Sequence, residues 1–225
     1  MSDGFKLSCV LFDLDGTLVD TAPDLIRCLN RAISRHGFEE INPQTIRPFI
    51  SYGGAAMVAR ATHDCDAALQ KIMLEEMLED YQHNIATHSH FFDGIAESLN
   101  YIEQQGLKWG IVTNKRERFT LPLIDALNLE NRIACVISGD TTNNSKPHPE
   151  PMLTACQQAE VHPHECVYIG DAEHDILAGR NCKMKTLAAV YGYLKPDDQP
   201  KHWGADALID SPQQLTHWIH ETLCN

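Results

Sequence analysis

The chain has no apolar run near the roughly 20 residues that a membrane-spanning helix needs, so a transmembrane reading is excluded. Its start, Met1-Ser2-Asp3-Gly4-Phe5-Lys6, lacks a basic segment followed by a long apolar stretch; no secretory leader is expected, and a cytoplasmic protein is. There is no C-x-x-C pair. The eight cysteines are scattered, several within apolar runs such as Cys9-Val10-Leu11 and Cys166-Val167-Tyr168. That pattern predicts reduced, mostly buried thiols rather than a disulfide framework. Neither G-x-G-x-x-G nor G-x-x-x-x-G-K-[ST] occurs, so a nucleotide cofactor has no support. Bases are scarce: 18 Lys and Arg stand against 31 Asp and Glu, a net charge of −13. Such a field repels nucleic acid and anionic lipid, so neither is an expected partner. It also repels a phosphate ester, so a site for one must bring its own positive charge. No internal repeat or low-complexity tract interrupts the chain.

What is present is ordinary for a soluble globular protein: 225 residues, 43% apolar and 22% charged. The length suits one core domain with a smaller insert. Thr21 to His36 reads as a helix, with Thr21 as cap, Pro23 in the first turn and Gly37 as stop. Leu25, Cys28, Leu29, Ala32 and Ile33 form its apolar face. Helical patterns follow over Ala55–Arg60 and Ala67 to about Ile85 with no clear strand between them, so residues 20–88 read as a helical insert. Elsewhere strands alternate with helices. Strands are expected at Ser8–Phe12, Lys108–Val112, Ile133–Ile137, Cys166–Ile169, Thr186–Val190 and Ala207–Ile209. The intervening helices fall at Gly94–Gln105, Arg118–Leu127, Glu150–Ala159 and Asp175–Asn181. This alternation predicts an α/β fold, a Rossmann-like parallel sheet with helices on both faces. Residues 1–19 and 89–225 would form that core.

Chemistry-bearing residues gather just after the strands. The first ends in Asp13-Leu14-Asp15-Gly16-Thr17, the second in Thr113-Asn114, the third in Ser138-Gly139-Asp140 with Lys146-Pro147 close behind, the fourth in Gly170-Asp171. Open parallel sheets bind ligands at the carboxyl ends of their strands. Crowded carboxylates need a cation, and oxygen-only ligands suit magnesium. Asp171 adds a third carboxylate and Asp175 lies one helical turn on. A phosphoryl group at this rim needs metal, lysine and hydrogen-bond donors; Lys146, Thr113 and Asn114 provide the last two. One aspartate can attack phosphorus while another handles the proton. Each piece alone has an ordinary reading, as a turn, a helix cap or a solvated loop. Four successive strand ends carrying such groups do not.

These residues, with Gly170-Asp171-Ala172-Glu173-His174-Asp175, resemble the four motifs of the haloacid dehalogenase superfamily in order and spacing over nearly the full chain. The resemblance implies a phosphatase with a helical (C1-type) cap inserted after the first strand. It implies Asp13 as nucleophile and Asp15 as acid and base, with Thr113, Asn114 and Lys146 as phosphate binders. Magnesium would be held by Asp13, Asp15 (through its backbone carbonyl) and Asp171, with Asp175 in the metal site either as a further ligand or just behind the others. Within the superfamily the chain is similar to the phosphoglycolate phosphatase-like branch. Matches at Ile50–Val58, His88-Ser89, Trp109–Lys115, Asn144–Pro147, Tyr191-Gly192-Tyr193 and Trp203–Asp206 imply N-acetylmuramic acid 6-phosphate, from peptidoglycan recycling, as substrate. Phosphoglycolate is the alternative; a sugar phosphomutase or a non-catalytic binding protein are further rivals. Ser51, Gly53, Gly54, His88 and Lys115 are the candidate substrate contacts. A monomer or weak homodimer is expected. Two departures, Arg116 for a usual proline and Cys182-Lys183 for a usual Ala-Gly, bear on loop shape. His88-x-His90 and His162-x-His164 read as loop histidines, since structural zinc takes four protein ligands. Trp109 reads as core, and Trp203 is a candidate lid residue.

Overall fold

A computed structural model describes residues 5–224; Met1–Gly4, part of the leader reading, and Asn225 lie outside the described residues. In chain order the elements are β1 (Cys9–Phe12), β2 (Val19–Asp20), α1 (Ala22–Arg35), α2 (Pro43–Ile46), a 3-10 turn at Arg47–Tyr52, α3 (Gly54–Ala61), α4 (Ala67–His83) and β3 (His90–Phe91). Then come α5 (Ile95–Gln104), β4 (Lys108–Val112), α6 (Glu117–Ala126), β5 (Cys135–Ile137), α7 (Glu150–Ala159), β6 (Cys166–Gly170), α8 (Glu173–Asn181), β7 (Lys185–Ala189), β8 (Ala207–Ile209) and α9 (Pro212–Cys224). No described helix is long and apolar enough to cross a membrane.

The main sheet runs β5-β4-β1-β6-β7-β8, and every pairing in it is parallel. β1 lies between β4 and β6, where the strand order reverses direction, the position at which such sheets open a crevice. Both faces of the sheet are covered, so β1 is apolar throughout instead of alternating with polar residues. Val10 and Phe12 face one layer with Trp109, Ile111, Val167 and Ile169. Cys9 and Leu11 face the other, with Val112, Cys135, Cys156, Cys166 and Tyr168. Trp109 is core, as expected, and gives its indole N–H to Glu103. All eight cysteines are unpaired; six are buried, Cys65 is half-buried and Cys224 is exposed. The Cys156 and Cys166 sulfurs lie 3.8 Å apart, and burial pushes the Cys135 thiol up to about 12 and that of Cys182 to about 11.

The helices between β1 and β3 share a second apolar cluster, in which α1 packs along α4. The predicted face of α1 is buried in full. Thr21 differs from expectation. Its side chain does not cap α1 but donates to the Asp15 carboxylate. The chain leaves and rejoins the sheet region through a ribbon the sequence did not reveal: β2 pairs antiparallel with β3, Val19 opposite Phe91 and Asp20 opposite His90. Trp203 is also corrected. It is buried against Ile176 and Ala188 beside the sheet, so it is core and no lid.

One buried acid fastens the return of the chain to α1. Asp24 is fully buried and accepts the backbone N–H of His88, the N–H of Ser89 at 2.9 Å and the Ser89 hydroxyl at 2.7 Å. Removing a buried charged acceptor strands those donors, at about 2–4 kcal/mol. Urea unfolding of Asp24→Ala should show a loss of that size; a midpoint equal to the wild type's would refute the role.

Candidate active site

Asp13, Thr113 and Asp171 sit at the ends of the three central strands, and Lys146 and Asp175 come to them from a loop and from α8. Asp13 follows β1 directly and its N–H donates to Ile169 O. Thr113 follows β4, Asp171 follows β6, and Lys146 reaches in from the loop after β5. Asp13, Asp171 and Asp175 are buried and each brings a carboxylate oxygen within 4.8 Å of the others. Lys146 Nζ lies among them, 2.8 Å from Asp13 Oδ1 and 2.6 Å from Asp175 Oδ1. It also reaches the Tyr168 hydroxyl at 2.8 Å and the carbonyl of Val112 at 3.0 Å. Asn114 holds the lysine from behind: its amide accepts Lys146 N–H at 3.0 Å and donates to Lys146 O at 3.2 Å.

The electrostatics follow from burial. Burial pushes the Asp13 carboxyl up to about 6, with Lys146 pulling the other way. Asp171 is raised well above the usual carboxylate range, first by burial and then by the charges of Asp13 and Asp175. For Asp175 burial also acts upward, but Lys146 outweighs it and holds the group below its ordinary value. Lys146 is raised, because Asp13 and Asp175 together overcome the burial that would discharge it. A single lysine therefore does not neutralise this rim. Three ionised carboxylates set against one ammonium leave two negative charges unmatched, a donor set that fits a hard divalent cation such as magnesium. Asp13 has its Oδ2 to offer one, and Asp171 its Oδ1, which accepts only a long bond of 3.3 Å from the Thr17 hydroxyl. Both oxygens of Asp175 are spoken for, Oδ1 by Lys146 and Oδ2 by the N–H of Ala172, so Asp175 positions its neighbours.

Glycines make room for this packing. Gly16 has φ +87°, and a Cβ there would collide with the Asp171 carboxylate. A Cβ on Gly192 would strike Asp171 as well. The Asp171 carboxylate accepts Tyr193 N–H at 2.8 Å and the hydroxyl of Ser51 at 2.8 Å, the latter from the 3-10 turn before α3. The next residue, Tyr52, is held by the far side of the rim. Its hydroxyl donates to Asp198 at 3.1 Å, Lys195 Nζ lies 4.0 Å from its ring centre, and its ring meets His174 edge-on.

Above the carboxylates opens a cavity of about 310 Å³, small but within the range of small-molecule sites. Of the candidate residues, Asp13, Asp15, Thr113, Asn114 and Lys146 line it, as do Ser51, Gly53, Gly54 and Lys115. Lys115 Nζ is 2.9 Å from Asp15 Oδ1 and 4.6 Å from the Tyr81 ring centre. His88 is different. It is exposed, does not line the cavity, and contributes its backbone N–H to Asp24. Its place beside the return of the insert made it look like a contact, whereas its work is to fasten the chain. The other loop histidines join no metal-binding group among the described residues. Arg116 also needs correction: beyond shaping a loop, it lines the cavity. Sequence reasoning missed Tyr168, Tyr81 and Phe119, whose apolar surroundings look like ordinary core.

An open parallel sheet with a buried acid-and-lysine cluster at its switch point is the build of a Rossmann-like enzyme whose chemistry sits at the strand ends. The model for the haloacid dehalogenase-like hydrolases matches residues 10–189, and the chain belongs to that family. It is 41% identical over 221 residues to an N-acetylmuramic acid 6-phosphate phosphatase of Pseudomonas aeruginosa, covering 98% of each chain. To a phosphoglycolate phosphatase of Xanthomonas campestris it is 43% identical over 206 residues, covering 92% of this chain and 93% of that one. In fold it is similar to a crystal structure of a predicted phosphoglycolate phosphatase from Haemophilus somnus, with a TM-score of 0.84, 23% identity, and coverage of 97% and 100%.

Asp13 in the metal-free protein holds its proton better than an unfolded chain's aspartate. Its contribution to stability is therefore full below pH 3.8 and is lost as pH rises to about 6. A cation on the ionised cluster reverses that loss, while at low pH protons compete for the same oxygens. Millimolar magnesium should raise the thermal midpoint more at about pH 7.5 than at about pH 5. Equal shifts at both pH values, or none, would count against a metal at this rim.

Proposed function

We propose that the chain is a magnesium-dependent phosphomonoesterase that works through an aspartyl-phosphate on Asp13, with N-acetylmuramic acid 6-phosphate as its substrate. The observation that carries this reading is the buried trio Asp13, Asp171 and Asp175, with Lys146 bridging Asp13 and Asp175 and with Asp13 and Lys146 lining the cavity. Magnesium, held by Asp13, Asp171 and the backbone carbonyl of Asp15, would neutralise charge on the phosphoryl oxygens.

The chain's own residues do the rest. An Asp13 oxygen attacks phosphorus as the ester P–O bond breaks, and the Asp15 carboxyl gives its proton to the leaving oxygen. Water then attacks the phosphorus of the aspartyl-phosphate; Asp15 takes the water's proton, and inorganic phosphate leaves with Asp13 restored. Lys146 supplies positive charge to Asp13 and the phosphoryl group. Thr113 offers a hydroxyl, its oxygen already fixed by Lys115 N–H at 3.1 Å. Lys115 is placed to exchange its bond to Asp15 for one to the incoming ester. Residues 20–88 act as a cap domain over the core formed by 1–19 and 89–225. With the cap tip on the rim, bulk water is kept from the reacting centre. The enzyme works in the cytoplasm as a monomer or weak homodimer.

The amino sugar is favoured by the walls. Leu25, Ile50, Met57, Leu78 and Phe119 give the cavity an apolar side opposite its charged floor. A hexose ring face and an acetamido methyl have apolar surface to place there, and a two-carbon acid has little. The second reading, a phosphoglycolate phosphatase, rests on the equally high identity to proteins of that name.

Asp13→Asn should lower kcat by at least about 10³-fold while the circular dichroism spectrum is kept, since the nucleophile acts only in the chemical step. Substantial residual turnover would sink the covalent mechanism. Chelation with EDTA should abolish phosphate release, and magnesium should restore it; activity that survives chelation would remove the metal. With N-acetylmuramic acid 6-phosphate and phosphoglycolate compared side by side, a kcat/KM ratio above about 10², worth about 2.7 kcal/mol, decides the substrate. Isomer formed in place of free phosphate would instead mark a phosphomutase.

A further inference from the structure

Three side chains that carry a fixed positive charge line the cavity, and two of them are committed. Lys146 is held by Asp13 and Asp175, and Lys115 by Asp15 and the Tyr81 ring. The third is Arg116. It is exposed at the cavity wall, and among the described residues its guanidinium makes no hydrogen bond, ion pair or ring contact. Other arginines nearby are occupied: Arg47 pairs with Asp20 at 2.7 Å, and Arg118 lies over Phe119. In a chain of net charge −13, carboxylates to pair with are abundant, so a guanidinium left free at a cavity wall stands out.

Its backbone is well anchored. Arg116 is extended, at φ −67° and ψ 149°, and its carbonyl accepts the N–H of Phe119 at 2.9 Å and of Thr120 at 3.0 Å, which ties it to the first turn of α6. The residue before it is Lys115, whose own side chain points at Asp15. A planar guanidinium offers paired N–H donors that match a carboxylate two-to-two, which a lysine cannot do.

We infer that Arg116 is the specificity-determining residue of this cavity, binding a carboxylate that the substrate carries in addition to its phosphate. The inference rests on the phosphatase reading and narrows it to phosphate monoesters of carboxylic acids. Both substrates in the relatives' names, a muramic acid phosphate and a phosphoglycolate, belong to that class. The phosphate goes to the metal, Lys146 and Thr113, and the second anion to Arg116. A neutral sugar phosphate leaves Arg116 without a partner.

The test uses ester pairs that differ in the carboxylate. N-acetylmuramic acid 6-phosphate is set against N-acetylglucosamine 6-phosphate, which lacks the lactyl acid, and phosphoglycolate against ethyl phosphate. Phosphate release is measured for the wild type, Arg116→Ala and Arg116→Lys with magnesium present. The kcat/KM ratio within the better pair should favour the acid in the wild type. Arg116→Ala should bring that ratio down about 10- to 100-fold, the effect of losing a hydrogen-bonded charge partner, through KM of the acid with kcat little changed. Arg116→Lys should restore part of it, keeping charge without the fork. A wild type that turns over both members equally, or an Arg116→Ala ratio equal to the wild type's, overturns the inference and leaves the phosphatase reading intact. A wild type that releases phosphate from none of the four esters overturns both. A thermal midpoint for Arg116→Ala near that of the wild type separates lost recognition from lost folding.

Discussion

Everything at the rim depends on one ammonium group set among carboxylates. Burying Asp13, Asp171 and Asp175 together is strongly unfavourable unless positive charge is buried with them. Lys146 supplies one charge, and its geometry explains much of the surrounding sequence. Tyr168 is a tyrosine because the lysine needs a further acceptor below the sheet rim. Asn114 is an asparagine because both faces of the Lys146 backbone must be gripped. Gly170 is a glycine because a Cβ there would run into Asp175. The remaining negative charge is what makes the site receptive to a cation.

The same economy of charge links the helical insert to the sheet. Ser51 comes from the 3-10 turn before α3, yet its hydroxyl ends on Asp171, 120 residues away. Tyr193 does the reverse. It belongs to the loop after β7, gives its N–H to Asp171, and its hydroxyl accepts the N–H of Thr21 and donates to Asp20 where the insert begins. Movement of the insert relative to the sheet would therefore be felt at the carboxylate that would hold the cation. The Tyr52 ring, held between Lys195, Asp198 and His174, fixes the other edge of that contact.

Much of this was legible in the sequence because it is local. β4, α7 and β8 fall where period and turn signals put them, and other core elements shift by one or two residues at their ends. The catalytic candidates hang directly on strand ends, so finding the strands finds Asp13, Thr113 and Asp171. What escaped depends on distant partners. β2 and β3 are two residues each and exist only because they pair across some 70 positions, which no local pattern announces. Tyr168 alternates correctly as a strand residue, and nothing in Cys166-Val167-Tyr168 reveals a hydroxyl turned toward Lys146. α9 did carry a signal, Ser211-Pro212 at its start, a common opening for a helix. Trp203 and His88 sat in suggestive places, and burial of the first and exposure of the second settled them.

The layer beneath the sheet has a use at the bench. Cys9, Cys135, Cys156, Cys166 and Cys182 lie there and Cys28 lies on the buried face of α1, all shut away from reagents. Only Cys65 and Cys224 face the medium to any degree. A thiol-reactive dye therefore counts two sulfurs on the folded chain and eight on the unfolded one. The protein carries its own gauge of global opening, readable as the mass that each bound dye adds.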